Sequence, residues 1–258
     1  MAESFTIWLF AVSVVASALG GMLGMTSGIF IVPLLTKFGH VEIHTAIGAS
    51  IISVIACSCG GAAPYLKNRL TDIRLAIVLE MATTTGALTR VLLAGIVPVW
   101  YLYLLFAVIL FLSAHQMLAR RRDPVIASTH KGASYWGDML HLHSSYPDRE
   151  IGRDVLYRVR RVGFGMLLMY GAGLISALLG IGSGVLKIPA MDTAMRLPLK
   201  VCSATSNFMI GVTAAASAGV YFMRGKIVTG VAGPVAFGSV LGGIIGARIL
   251  LSVPNDKL

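Results

Sequence analysis

Long apolar runs fill most of this chain, and they constrain its fold more than any other feature. Each of seven runs is near or above the roughly 20 residues that an α-helix needs to cross about 30 Å of hydrocarbon. No water reaches the backbone there, so helices, which bond their own N–H and C=O groups, are the expected spanning elements. Charged residues make up only 12% of the sequence, whereas about a quarter is usual for a soluble domain. We therefore predict an all-α polytopic membrane protein with apolar segments at 5–36, 45–66, 75–97, 99–118, 162–191, 201–223 and 228–252.

The first apolar segment contains GMTSGIFIVP at 24–33, a stretch that is poorly suited to an unbroken helix. Gly28 permits a positive φ or a close approach of another group, and Pro33 is best tolerated in the first turn of a helix, where a missing N–H costs nothing. Non-helical backbone at membrane depth is tolerated only where it is buried in protein or lines a polar cavity. We therefore predict that the helix breaks at these glycines and exposes backbone groups to a cavity.

The same pattern recurs in the second half of the chain. Residues 20–66 align with residues 176–222 without a gap, and most identities cluster in the pattern Leu-Gly-x-x-Ser-Gly-x-x-x-x-Pro. This clustering predicts a two-fold internal repeat in which the first helix of each half is broken or re-entrant. The coinciding pairs are Leu23 and Leu179, Gly24 and Gly180, Ser27 and Ser183, Gly28 and Gly184, Pro33 and Pro189, Ser50 and Ser206, and Tyr65 and Tyr221.

The repeat divides the chain into a first transmembrane half at 1–118, a polar segment at 119–161 and a second transmembrane half at 162–258. The first half continues through a fourth helix at 99–118, whereas the second half ends at SVPNDKL. We therefore expect an eighth helix to be missing, either because the chain is truncated or because the protein lacks it. The face that this helix would cover must then be buried by lipid or by a second copy of the chain, so a homodimer is expected.

The central segment at 119–161 is strongly basic. Nine of the 21 Lys and Arg residues lie between Arg120 and Arg161, and such a concentration outside apolar runs is typical of a cytoplasmic loop rather than of a nucleic-acid-binding surface. His141 and His143 lie close together, but no second matched pair of ligands accompanies them. We predict a solvated loop on the cytoplasmic side of the cell membrane, with no metal site, no cofactor and no nucleic-acid partner.

The topology of the two broken segments has two solutions. The runs at 5–36 and 162–191 are longer than one crossing needs. Each is therefore either a single long crossing broken at its glycines or a re-entrant hairpin that turns at the glycines. The distribution of Lys and Arg fits both arrangements. We favour the hairpin because transporters often combine inverted repeats with discontinuous helices.

The breaks are predicted to bind an anion. Free N–H groups at the start of the helices that follow Gly28 and Gly184 favour negative charge, and Ser27 and Ser183 add hydroxyl groups beside them. Lys187 adds a positive charge three residues after the second break. An intramembrane lysine is costly and usually functional. We favour an anion site that includes Lys187 over the alternative in which its side chain reaches an interface as an anchor.

Other polar residues in the apolar segments have two interpretations each. Ser50, Ser206 and Asn207 either face the same cavity or hydrogen-bond between helices as packing contacts. Glu80 is an acidic residue deep in an apolar run, and it either couples transport to protons or pairs with a buried arginine. A stripe of small residues in the last segment needs no ligand and predicts close helix packing. The stripe consists of Gly238, Gly242 and Gly246.

The two glycine breaks and the helices behind them resemble the TauE/SafE sulfite-exporter family. The resemblance rests on GMTSGIFIVPLL at 24–35 and GIGSGVLKIPAM at 180–191, with AIGASIIS at 46–53 and CSATSNFM at 202–209 behind them. It covers both halves and omits the central segment. The resemblance implies transport of small anions such as sulfite, sulfonates and related organosulfur compounds across the inner membrane of a bacterium or archaeon. It fixes neither the substrate nor the direction.

These observations favour a secondary transporter for a small anion, with a site formed by the two Gly-Ser breaks. The chain contains no GxxxxGK[ST] motif, so it does not supply energy from ATP itself. It also contains no HExxH or GxSxG motif, and we expect no enzymatic activity. The alternative is a membrane assembly or accessory protein without transport activity of its own. In that case neutral substitution of Lys187 and the two motif serines would leave function intact.

Overall fold

The computed structural model describes residues 2–25, 27–93, 104, 107, 111, 139, 142, 144–148, 153–157, 159, 161–179, 184–223, 225 and 227–253. This part of the chain contains eight helices and one pair of strands. The helices are α1 (Ala2–Leu23), α2 (Gly28–Lys37), α3 (Ile43–Lys67), α4 (Ile73–Leu93), α5 (Val162–Leu179), α6 (Gly184–Met195), α7 (Leu199–Met223) and α8 (Thr229–Ser252). The strands are β1 (Ser144–Asp148) and β2 (Arg153–Tyr157).

Four helices are long and apolar enough to cross a membrane, which fits the predicted all-α polytopic membrane protein. α2 and the stretch Val162–Ile175 of α5 are apolar but shorter. α4 carries Arg74, Glu80 and Arg90 and is not among the four. The helix predicted at 99–118 lies outside the described residues apart from residues 104, 107 and 111. The four candidate spans are Phe5–Leu23, Ile43–Lys67, Leu199–Met223 and Thr229–Ser252.

The chain divides into two compact units. The first unit comprises residues 1–71 and 203–253, and the second comprises residues 72–202 and 254–258. The boundary between them falls within α7. The division predicted from the sequence, into 1–118, 119–161 and 162–258, stays a prediction.

In the first unit, α1 and α8 pack with their backbones in close contact along the glycine stripe. A Cβ atom added at Gly238 would lie 2.6 Å from the carbonyl oxygen of Phe10. Cβ atoms at the next two glycines of the stripe would overlap α1 carbonyl oxygens in the same way. The interpretation of this stripe as a packing surface is therefore confirmed. The glycines and the carbonyls they approach are Gly238 with Phe10, Gly242 with Val14, and Gly246 with Ala18.

α2 runs back along α1, so the first broken segment forms a hairpin. The chain turns between Leu23 and Gly28. After α2 it reaches the beginning of α1 again, because a Cβ atom at Gly39 would lie 3.2 Å from the ring of Trp8. The 22 residues of α1 rise about 33 Å, whereas the 10 residues of α2 rise only about 15 Å, about half the thickness of the hydrocarbon. The shared core consists of Leu9, Ala16, Ile31, Leu35, Ala46, Ala49 and Val235.

The position of α2 beside α1 fits the re-entrant hairpin for the first half, because a single broken crossing would carry α2 away from the start of α1. The topology in the membrane stays a prediction. For the second half the comparison is incomplete. Residues 180–183, which contain the second break, lie outside the described residues. The two-fold structural repeat therefore stays a prediction.

In the second unit, α4 packs against α5 through one glycine on each helix. A Cβ atom at Gly86 would overlap the carbonyl oxygen of Tyr170, and one at Gly173 would overlap the carbonyl oxygen of Thr83. α6 packs against α5 in turn. These contacts hold α4 close to the start of the second half of the chain and bring the side chains of α4 and α6 within reach of each other.

An antiparallel strand pair lies within the segment that the sequence predicted as a loop. Ser144 pairs with Tyr157, and Asp148 pairs with Arg153. The hydroxyl of Tyr157 donates to Oδ2 of Asp72 at 3.2 Å, just before α4 begins. Burial raises the pKa of Tyr157, and the Asp72 carboxylate adds to this increase. The phenol therefore remains protonated and able to donate at neutral pH.

Gly173→Ala is expected to lower the thermal unfolding midpoint, because the new methyl group would meet the Thr83 carbonyl. Overpacking of this kind costs about 1–3 kcal/mol. Gly171→Ala on the same helix is the matched control, since a Cβ atom there would meet nothing within 4 Å. It should be neutral or stabilising by up to about 1 kcal/mol. Thermal unfolding of the purified protein in mild detergent measures both, and equal shifts in the two variants would contradict the packing described here.

Candidate functional site

The first glycine break is a true interruption between α1 and α2. Gly24 has φ +63, a left-handed conformation that glycine adopts without strain. The N–H of Met25 donates to the carbonyl of Gly20 at 2.9 Å and closes the end of α1. α2 then starts from the carbonyl of Ser27, which accepts from the N–H groups of Phe30 and Ile31 at 3.1 Å each. The break thus places the Ser27 side chain at the beginning of a new, short helix.

The Ser27 hydroxyl belongs to a buried group of four serines, which we call the serine cluster. Its Oγ atom lies 3.1 Å from Oγ of Ser53. Ser53 is the hub, with Oγ–Oγ distances of 2.6 Å to Ser239 and 3.4 Å to Ser17. None of the four is more than 1% exposed. The cluster therefore joins α1, α3 and α8 to the start of α2 through hydroxyl groups in an otherwise apolar interior.

Ser27 was predicted from the sequence as a site residue, whereas the three other members of the serine cluster were not. Ser53 lies three residues after Ser50, so helical spacing would place both on neighbouring positions of one face. Ser17 and Ser239 gave no signal of their own, because a lone serine in an apolar helix commonly bonds to its own backbone. The predicted residue Ser50 does this, since its hydroxyl donates to the carbonyl of Ile47 at 2.8 Å.

Ser206, which the repeat aligns with Ser50, contacts the first break within the first unit. The hydroxyl of Ser206 donates to the carbonyl of Gly24 at 2.9 Å. This bond satisfies one of the carbonyl groups that the end of α1 leaves without an intrahelical partner. The aligned serine of the second half thus stabilises the break of the first half.

Asn207, next to Ser206, carries a buried amide nitrogen that has no hydrogen-bond partner among the described residues. The backbone carbonyl of Asn207 accepts from the hydroxyl of Ser58 at 2.8 Å. The side chain lies against Gly61, where an added Cβ atom would approach Nδ2 to 2.8 Å. An unpartnered buried donor costs about 1–3 kcal/mol. Asn207 is therefore a candidate for contact with a bound water molecule or substrate.

In the second unit, the side chains of Lys187 and Glu80 form an ion pair. Nζ of Lys187 lies 2.8 Å from Oε2 of Glu80, and the side chains are 0% and 17% exposed, respectively. Lys187 therefore does not extend to an aqueous interface as an anchor. The partner of Glu80 in this pair is a lysine, whereas the sequence analysis considered an arginine. Thr83, one turn along α4, places its Oγ1 atom 3.5 Å from the same carboxylate oxygen.

The ion pair lies in the first turn of α6, which begins at Gly184. The positive end of the helix dipole and the ammonium group are thus close together, and both favour negative charge. Glu80 approaches from α4 and neutralises this charge in the absence of another anion. An isolated charge at membrane depth would cost several kcal/mol, and pairing removes most of that cost.

The predicted site residues are distributed over both units. Ser27, Gly28, Ser50, Ser206 and Asn207 belong to the first, whereas Gly184 and Lys187 belong to the second. Ser183 lies outside the described residues. The single anion site formed by both breaks therefore stays a prediction.

No group of three His, Cys, Asp or Glu residues suited to a metal ion occurs in the part of the chain that the structure describes. The two closely spaced histidines of the central segment, His141 and His143, lie outside that part.

Ser53→Ala should lower the unfolding midpoint by several degrees, because it removes the hub of the serine cluster and leaves buried hydroxyls with fewer partners. The expected cost is about 1–3 kcal/mol. Ser13→Ala is the control. Ser13 lies on α1 and is buried like Ser53. Among the hydrogen bonds described, its hydroxyl donates only to the carbonyl of Leu9 in its own helix, at 2.7 Å. Equal stability of the two variants in thermal unfolding would show that the cluster contributes nothing beyond local hydrogen bonds.

Comparison with known proteins connects this architecture to membrane transport. The family model described as sulfite exporter TauE/SafE matches residues 9–258. The chain is 24% identical over 258 residues to the probable membrane transporter protein YunE of Bacillus subtilis (strain 168), and the alignment covers 95% of this chain and 88% of that protein. It is 23% identical over 239 residues to the probable membrane transporter protein YdhB of the same organism, covering 92% and 87%. No solved structure matches the chain significantly.

Proposed function

We propose that this chain, which belongs to the sulfite exporter TauE/SafE family, moves a small anion across the cytoplasmic membrane as a secondary transporter. Family membership and apolar helices make it a multi-pass membrane transporter. The proposal adds the charge of the substrate, its chemical class and the residues that bind it.

The observation that carries the anion proposal is the complete burial of Lys187 in the first turn of α6. A buried ammonium needs a negative partner, and Glu80 supplies one in the structure described here. A substrate oxygen is a second acceptor of the same kind, since an ammonium group has three donors. The positive end of α6 adds to the attraction for an anion. A cation would be repelled by both features and attracted only by Glu80.

Sulfite and simple sulfonates fit this chemistry. Their oxygens are strong hydrogen-bond acceptors, so they suit an ammonium group together with hydroxyl and amide donors. The family description names sulfite, which supports this class over carboxylates or halides. Within the first unit, Asn207 is proposed as a further donor to the substrate, because its side-chain amide nitrogen is buried and has no hydrogen-bond partner among the described residues. The hydroxyls of Ser50 and Ser206 already donate to backbone carbonyls, and Ser27 lies in the serine cluster. These three serines are therefore proposed to shape the site rather than to donate to the substrate.

The orientation follows from charge. The basic residues between Arg120 and Arg161 support a cytoplasmic position for the segment 119–161 in the inner membrane. We also propose that the protein forms a homodimer. Crosslinking in native membranes tests the assembly, and a monomer that is stable in mild detergent at low protein concentration would count against it.

Uptake of radiolabelled sulfite and methanesulfonate into proteoliposomes tests the proposed function. The expected result is saturable uptake above protein-free liposomes, with each anion competing against the other. Labelled glycerol and choline are the controls for a neutral and a cationic solute, and neither should enter faster than through protein-free liposomes. Equal entry of all four solutes, or no protein-dependent entry of either anion, would contradict the proposal.

A further inference from the structure

We infer that Glu80 carries a coupling proton: when the anion binds at Lys187, the Glu80 carboxylate is displaced and takes up a proton, so that proton and anion move together. The inference rests on the proposed function and deepens it by naming the coupling ion and the residue that binds it. Formally, one O–H bond forms on the carboxylate of Glu80 at binding and breaks at release. No other covalent bond changes.

The geometry makes the two groups competitors for one ammonium. Nζ of Lys187 and Oε2 of Glu80 are 2.8 Å apart, a distance at which the charges are in direct contact. A substrate anion that reaches Nζ must therefore share the ammonium with Glu80 or replace it. Both residues belong to the second unit.

The exposure of the two side chains is unequal, and this decides which one exchanges a proton. Lys187 is 0% exposed, whereas Glu80 is 17% exposed. The carboxylate is therefore the more accessible of the two groups. The lysine provides a fixed positive charge, and the glutamate provides the variable one.

Charge balance links the proton to the substrate. The ion pair is neutral, and a monovalent anion would give it a net charge of −1 in apolar surroundings. Such a charge costs several kcal/mol when it is buried. Protonation of the carboxylate restores neutrality, and the new O–H group can donate to a substrate oxygen. Binding of the anion without the proton is thus strongly disfavoured, and the same holds for protonation without the anion.

Other charged or titratable groups lie on the helices packed around the pair. On α4, Arg74 is exposed six residues before the glutamate, and the side chain of Arg90 lies outside the described residues. On α5, the hydroxyl of Tyr170 donates to the hydroxyl of Thr89 at 3.1 Å. On α6, Asp192 is a second buried carboxyl group, five residues after the lysine. It is therefore the matched control.

The test compares the unaltered protein with Glu80→Gln and Asp192→Asn in proteoliposomes. Each preparation contains a pH-sensitive dye, and uptake of labelled methanesulfonate is measured. The unaltered protein should accumulate the anion in response to an inwardly directed proton gradient and acidify the lumen as it does so. Glu80→Gln should lose at least 90% of gradient-driven accumulation but keep exchange of labelled for unlabelled anion, since glutamine resembles the protonated acid. Asp192→Asn should keep both activities. Glu80→Asp, which retains a titratable carboxyl group, should keep coupling and serves if the glutamine variant does not fold.

Gradient-driven accumulation that survives Glu80→Gln would overturn the inference and leave the proposed function intact. So would anion transport by the unaltered protein that does not respond to the proton gradient. Absence of any anion transport by the unaltered protein would overturn both. If coupling is lost in Asp192→Asn and kept in Glu80→Gln, Asp192 rather than Glu80 carries the proton. This result would also contradict the inference.

Discussion

Lys187→Met is expected to reduce anion uptake about a hundredfold, the largest functional effect of any single substitution considered. Loss of a buried charge partner typically costs about 2–5 kcal/mol, and about 2.7 kcal/mol corresponds to a factor of a hundred. The substituted side chain keeps a similar length and apolar character but offers no donor to the substrate. Initial rates of labelled sulfite and methanesulfonate uptake into proteoliposomes provide the measurement.

The single variant leaves the Glu80 carboxylate buried without its lysine, which costs about 3–5 kcal/mol and threatens folding. The double variant Lys187→Met with Glu80→Gln removes both charges and should fold, but it should not transport. Lys37→Met is the matched control, because Lys37 is exposed at the end of α2 and should keep normal uptake. Normal uptake by the double variant would reduce the ion pair to a structural contact and remove the principal support for the anion site.

Gly242→Val is expected to prevent correct folding of the first unit. A Cβ atom at this position would overlap the carbonyl oxygen of Val14 and approach Cβ of Ser17 to 2.9 Å. Relief would require α1 and α8 to separate along their length, which would also pull Ser239 away from the serine cluster. The combined loss is expected to exceed about 4 kcal/mol, in the range reserved for severe core disruption. Size-exclusion chromatography in mild detergent should show aggregated protein in place of a single peak.

Gly233→Val on the same helix supplies the control, since a Cβ atom there would meet nothing within 4 Å. It introduces the same branched side chain without the clash and should give a normal elution profile. If both variants elute normally with unchanged unfolding midpoints, the helices do not approach as closely as described. If both aggregate, the branched side chain rather than the contact is responsible.

The sequence predicted the elements that depend on local composition and spacing. Apolar length identified the helices that are candidate membrane spans. The spacing of Gly238, Gly242 and Gly246 identified a packing surface before its partner was known. The break after Leu23 was also predictable, because a cluster of glycine and serine disfavours a continuous helix. Each of these signals is contained within a few helical turns, which is why the sequence alone sufficed.

The sequence did not predict features that depend on which helices meet. Lys187 and Glu80 are 107 positions apart, so each could be recognised as costly but not as the partner of the other. The serine cluster joins Ser53 to Ser239 across 186 positions, and nothing in either local pattern indicated the contact. The strand pair at 144–157 was predicted as part of a loop because the segment at 119–161 is polar and basic. Such pairings are decided by tertiary packing.

The most direct test of the central claim, that this chain is a carrier for a small anion, is counterflow. Proteoliposomes are loaded with unlabelled methanesulfonate or sulfite and diluted into a trace of the same labelled anion without any ion gradient. The account predicts a transient accumulation of label above equilibrium, because a carrier exchanges its substrate whatever ion it is coupled to. Label that rises no faster than in protein-free liposomes, for both anions and with protein shown to be folded, would contradict it.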